Sequence, residues 1–147
     1  MFLQLAVVFC LQAPVAGDVV EPYGPVGRFG GHWGIVLAAQ IGTPVRAAGS
    51  GRVSFAGSVA GMLSVTIDHG GGLRSSVSYL STITVGQGNA VVAGATLGFS
   101  GRAHGREALH LSVRVDGRYT DPHPYLLCGA GDPTRLYLLP PPDQVLR

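Results

Sequence analysis

From Gly30 to Val115 no window of the sequence sustains a 3.6-residue apolar period for three turns. The chain breaks instead into short apolar runs, most of about four to eight residues, closed by glycine, proline or aspartate. The runs are Ile35 to Ala39, Pro44 to Ala48, Gly51 to Ala56, Met62 to Asp68, Leu73 to Leu80, Ala90 to Val92, Thr96 to Ser100 and Ala108 to Val115. Most are rich in Val, Ser and Thr, which suit a pleated, half-buried surface. Gly42-Thr43-Pro44, His69-Gly70-Gly71-Gly72 and Asp116-Gly117 mark turns. Val113 to Tyr119 reads as two strands joined at Asp-Gly, whose residues accept the left-handed backbone of a tight hairpin. The pattern predicts an all-β domain, an antiparallel two-sheet or barrel-like scaffold. With 147 residues, 23 Gly and 10 Pro, the chain is long enough for one core and short for two.

Two stretches echo each other: Gly42 to Ala48 followed by Gly51-Arg52-Val53, and Val85 to Gly88 followed by Ala93 to Gly98. Each is a turn, a short strand and a glycine-marked return, the mark of an internal duplication too short for a solenoid.

Charge excludes several classes of function. All ten basic residues are Arg, spaced singly from Arg28 to Arg147 against eight acidic residues. A nucleic-acid surface needs clustered cations that displace many counterions together, and none is present in the sequence. The lack of Lys also excludes a lipoyl- or biotinyl-type carrier and a Schiff-base enzyme.

Residues 1–17 carry an apolar run from Phe2 to Leu11, broken by Gln4, and end in Val15-Ala16-Gly17. This pattern predicts a signal segment and an exported protein, without a basic residue ahead of the run. The run falls short of the ~20 residues of a membrane span, so no transmembrane span is expected. Phe9 before Cys10 does not suit a lipidation signal. Loss of the segment leaves Cys128 alone, as a small buried hydrophobe without a disulfide. Residues 18–29 read as an extended lead-in, 30–126 as the domain, and 127–147 as a C-terminal extension over Pro140-Pro141-Pro142.

Within the domain a series of motifs occurs in one order. Gly31-His32-Trp33-Gly34-Ile35-Val36-Leu37-Ala38-Ala39 is followed by Gly42-Thr43-Pro44-Val45, by Asp68-His69-Gly70-Gly71-Gly72-Leu73, and by Val85-Gly86 and Gly94. Leu109-His110-Leu111, Val113-Arg114-Val115, Gly117 and Asp121-Pro122 close it. The series resembles the lysostaphin-type (LytM-like) zinc peptidases of bacterial cell walls over about Gly30 to Leu126, and implies their duplicated hybrid β-fold.

In active members of that family, a His and an Asp of the first motif and the second His of His-Leu-His hold zinc, while two further His polarise substrate and move protons. By resemblance His32 and His110 match the first and third zinc ligands, as vestiges. Val36 stands at the Asp position, Tyr79 at the mid-strand His and Ala108 at the opening His. Residues two apart on a strand share a face, so Ala108 lies beside His110. A catalytic zinc site ordinarily uses three protein ligands and a water, which two His do not supply.

Six further residues have readings of their own. His104 lies in Gly101 to Glu107, a loop one residue longer than the family's, and as a flexible residue is placed to swing towards the groove. Glu107 is an odd number of positions from His110 and is expected on the opposite face. Tyr79 reads as a groove-lining aromatic, and Trp33 as core or as a platform in the groove wall. His69 and His123 read as turn residues without a metal role.

The resemblance implies a non-catalytic LytM-like domain of the cell envelope that binds peptidoglycan or regulates a cell-wall hydrolase. No cofactor is expected beyond weakly held zinc. The alternative is a zinc endopeptidase cutting peptidoglycan cross-bridges, with His104 or Tyr79 recruited.

Overall fold

A computed structural model describes residues 10–127. The elements are β1 (Val19–Glu21), β2 (Gly24–Val26), β3 (Gly30–His32), β4 (Ile35–Ala38), β5 (Pro44–Arg46) and β6 (Gly51–Val59). They continue as β7 (Met62–Gly70), β8 (Leu73–Ile83), β9 (Ala90–Val91), β10 (Thr96–Ala103), β11 (Arg106–Val115), β12 (Arg118–Thr120) and α1 (His123–Leu127). Every strand pairing among the described residues is antiparallel. Ten strands form one sheet and β2–β3 a separate ribbon. The all-β antiparallel expectation therefore holds.

Local chemistry explains the hairpins. Ala60-Gly61, Gly71-Gly72, His104-Gly105 and Asp116-Gly117 each join neighbouring strands with two residues, and in every pair both residues have positive φ. This is the backbone of a type I′ turn, whose twist matches that of the strands it joins. Ser76, Ser78, His110 and Ser112 alternate along their strands with buried Ser75, Val77, Leu109, Leu111 and Val113. The period of two sends one set into the core and the other to the opposite face. The core comprises Ile35, Leu37, Val45, Val53, Val65, Ile67, Val77, Leu97, Leu109 and Leu111 with their neighbours.

β11 is the shared strand. Its first residues pair with β10, Ala108 to Leu111 pair with β4, and His110 to Val115 pair with β8. The sheet branches there, and β11 carries side chains from both arms of the branch onto one face.

Part of the N-terminal segment packs with the domain. Residues 10–17, read as part of a removable leader, pack as part of the domain. Leu11 and Val15 are core residues at 2% and 6% exposure. Leu11 N–H donates to Tyr125 O, Gln12 N–H to Ala48 O, and Arg46 N–H to Pro14 O. Cys10 is disulfide-bonded, and the sequence holds one other cysteine, Cys128, outside the described residues. The reading of Cys128 as a lone buried hydrophobe falls outside the described residues. The proline-rich tail and residues 1–9 also lie outside the described residues. Among the described residues no helix is long and apolar enough to cross a membrane.

His69 is locked into the scaffold. Its Nδ1 lies 2.8 Å from Ser50 O and its Nε2 2.7 Å from Ser75 Oγ. Burial, outweighing the Ser50 hydrogen bond and the Asp68 charge, pushes its pKa below the ordinary 6.5.

Two measurements test this architecture. Leu11→Ala is expected to lower unfolding free energy by about 2–4 kcal/mol in urea titrations, whereas a detachable leader predicts no change. Because the unfolded chain protonates His69 before the folded one does, its contribution is present above pH 6.5 and fades as pH falls below it. His69→Gln is expected to flatten the decline of the urea midpoint between about pH 7 and pH 5.

Candidate functional site

The face of β7, β8 and β11 opposite the core forms the floor of a groove of about 590 Å³. Its rows follow from strand register. Ser64, Ser78 and His110 stand abreast, followed by Thr66, Ser76 and Ser112, and then by Asp68, Arg74 and Arg114. The hydroxyls satisfy one another across strands, with Ser64 Oγ donating to Ser78 Oγ at 2.9 Å and Thr66 Oγ1 lying 2.7 Å from Ser76 Oγ. The Arg74 guanidinium donates to Asp68 Oδ2 at 3.3 Å.

One wall is aromatic. Trp33 is half-buried rather than core; its Nε1–H donates to Gly30 O and its ring lies 6.0 Å from that of Tyr119. Arg114 covers the other part of Tyr119 at 5.7 Å. Trp33 thus stands at the groove wall, one of its two sequence readings.

At the head of the groove His32, Val36, Tyr79, Ala108 and His110, the five positions singled out by resemblance, come together. Val36 lies directly across from His110 in the β4–β11 register, and Ala108 shares its face. Val36, Ala103 and Ala108 are buried at 1%, 0% and 0% exposure and form an apolar cluster with Tyr79 packed on it. Val36 and Ala108 thus present hydrocarbon beside His110. Together with His32 and His110, these side chains supply two imidazoles and no carboxylate, so the five residues do not fit a three-ligand zinc set.

Backbone strain persists at the neighbouring position. Leu63 pairs with Leu80 and Ser64 with Ser78, leaving Tyr79 as an extra residue on β8. This bulge puts Tyr79 at φ +67, a costly conformation for an aromatic residue, and aims its ring over the groove. Gly101 accommodates it, since a Cβ there would lie 2.7 Å from Tyr79 O. Gly34 has a similar cause: a Cβ would lie 2.6 Å from His110 Nε2.

Three imidazoles converge. The His32 ring centroid lies 5.0 Å from that of His110 and 6.2 Å from that of His104, while His104 is 5.3 Å from Tyr79. His110 is held neutral, its pKa pushed down to about 4 by burial first and then by the charges of His32 and His104, with Glu21 opposing. His104 does not sit on a flexible loop, as expected from sequence, but at the tip of the tight β10–β11 hairpin at φ +53. The supposed extra loop residue is absorbed because β10 and β11 pair as far as Ala103 and Arg106. Glu107 points away as expected, accepting from Ile41 N–H at 3.4 Å.

The residue missed from sequence is Glu21. β1 pairs with β4 so that Glu21 opposes Val36, and opposed residues of antiparallel strands share a face. Donor atoms of Glu21, His32 and His104 all lie within 4.8 Å of one another. No periodicity signals this, because Glu21 precedes the recognisable motifs.

This β scaffold and its histidine-lined groove define a peptidase-like domain, and comparison with known families agrees. The chain belongs to Peptidase family M23, which matches residues 30–122. It is 36% identical to the murein hydrolase activator EnvC of Escherichia coli K12, over 77% of this chain and 28% of that protein. It is 34% identical to the uncharacterized lipoprotein YgeR of the same organism, over 80% of this chain and 47% of that one. Lysostaphin from Staphylococcus simulans, an antimicrobial peptidase, superposes with a TM-score of 0.70 at 30% identity over 87% of this chain and 57% of its own. The chain therefore spans less than half the length of these two curated relatives.

The apolar cluster makes a test of the site possible. Val36→Asp places a carboxylate among Ala103, Ala108 and Tyr79, so metal-free protein is expected to lose about 2–4 kcal/mol of unfolding free energy. A loss under about 0.5 kcal/mol in urea titrations would mean that Val36 is solvated and the cluster open.

Proposed function

We propose that this domain binds peptidoglycan in the cell envelope without cutting it. The observation that carries the reading is the apolar cluster of Val36, Ala103 and Ala108 beneath Tyr79, beside His110. Peptide hydrolysis needs groups that activate water and protonate the leaving amine, each contributing about 10² to 10⁴ in rate. At the two positions where the family places those groups stand a phenol and a methyl group.

The remaining groove suits binding. Its floor of Ser64, Thr66, Ser76, Ser78 and Ser112 offers hydroxyls that donate or accept, as a chain of amides and sugar hydroxyls requires. Trp33 and Tyr119 offer flat faces for stacking, and Arg114 offers a cation for a carboxylate. The similarity to EnvC supports a second reading within the same function, in which the groove holds a segment of a cell-wall hydrolase and regulates it. The convergence of Glu21, His32 and His104 favours the alternative of a zinc endopeptidase, since it brings a carboxylate back beside two imidazoles.

Sedimentation with purified peptidoglycan sacculi separates these readings. The protein is expected to co-sediment without releasing soluble muropeptides, and Trp33→Ala to weaken binding about tenfold, the equivalent of about 1.4 kcal/mol. Chelator-sensitive release of muropeptides by the unaltered protein would overturn the non-catalytic reading. Failure to co-sediment, with capture of a purified murein amidase instead, would move the assignment to the regulator. Val36→Asp, Tyr79→His and Ala108→His combined are expected to introduce hydrolysis if the groove still positions substrate.

A further inference from the structure

We propose that the domain has exchanged the family's metal site for a displaced one, formed by Glu21, His32 and His104, which holds a single zinc-class divalent cation. Only His32 is common to both sets. The Asp position is Val36, but Glu21 stands opposite it on β1, so the carboxylate is supplied from the adjacent strand. The second imidazole comes from the hairpin tip rather than from β11.

The state of His32 supports this assignment. Its Nδ1 lies 2.9 Å from Pro22 O, an acceptor without a proton, so Nδ1 carries the hydrogen. Nε2 is then the lone-pair nitrogen. It is buried and has no hydrogen-bond partner. A buried acceptor without a partner is rare, and a metal-ligating His typically donates its other N–H to a carbonyl or carboxylate. Pro22 directly follows Glu21, so the segment that would deliver the carboxylate also orients the imidazole.

The other two ligands have room to close. Ligand atoms around a tetrahedral zinc are about 3.4 Å apart, so donors within 4.8 Å need only small side-chain rotations. His104 is more exposed than Glu21 and His32, and its turn fixes the backbone while leaving the ring free to rotate. Two imidazoles and a carboxylate suit zinc better than calcium or magnesium, which prefer all-oxygen shells. Three protein ligands leave one position for an oxygen of a ligand in the groove. The metal would then bridge β1 and the β10–β11 hairpin and help recognise a carboxylate or carbonyl, without restoring the missing proton-transfer groups.

The test is titration of the chelator-stripped full chain with zinc alone, and with cobalt(II), whose visible spectrum reports nitrogen and oxygen ligation. One ion per chain is expected. Glu21→Gln and His104→Asn should each weaken binding by about 100-fold, while Glu107→Gln, on the opposite face, should leave it unchanged. Asn-Gly is a favoured type I′ pair, so His104→Asn removes the imidazole while keeping the hairpin; His104→Gly is a second variant of the same kind. A folded protein that takes up no zinc would overturn the proposal, as would an affinity in the Glu21 and His104 variants equal to that of the unaltered chain. Sacculus co-sediment is scored separately with and without zinc. Loss of metal binding with retained co-sedimentation therefore condemns this site alone and not the binding function.

Discussion

Strand β11 is the element on which the rest of the molecule depends. It hydrogen-bonds to β10, β4, β8 and β12, and its residues alternate between two environments. Leu109, Leu111 and Val113 are fully buried in the core, each worth about 1.5–3 kcal/mol of burial. His110 and Ser112 face the groove. A one-residue slip would exchange the two sets and place an imidazole and a hydroxyl in the hydrocarbon core. The register that stabilises the fold is therefore the same register that builds the groove.

The groove keeps features that stability alone does not explain. The Tyr79 bulge leaves an aromatic residue in left-handed backbone, and Gly101 and Gly34 make space for Tyr79 and His110 at distances no side chain would allow. Such strain persists where surrounding structure imposes it, and it commonly lies at functional sites. Here the bulge aims a phenol over the end of the groove that holds His104 and His110. Beneath that side chain Val36, Ala103 and Ala108 form a buried apolar floor.

The N-terminal segment shows what composition leaves out. Phe2 to Leu11 has the apolar content of a leader, and from sequence alone Leu11 is indistinguishable from the residues before it. In the fold, Leu11 and Val15 are core residues and Cys10 is disulfide-bonded. Burial depends on what the segment meets, here Tyr125, Ala48 and Arg46 from distant parts of the chain. A hydropathy pattern contains no information about those partners.

The sequence by itself determined the strands, the Asp116-Gly117 hairpin and the membership of the M23 family, and through its resemblance pointed to Val36, Tyr79 and Ala108 as the positions to inspect. These are local properties: side-chain alternation, turn conformations and motif spacing act over a few residues. Tertiary structure alone decided that Glu21 opposes Val36, that His104 sits on a rigid hairpin tip, and that Trp33 belongs to the groove wall. Each depends on pairing between strands remote in sequence, where a carboxylate's neighbours are set by sheet register rather than by its own segment. A strand read by itself shows only its own side chains, whereas the carboxylate opposite Val36 is visible only across strands.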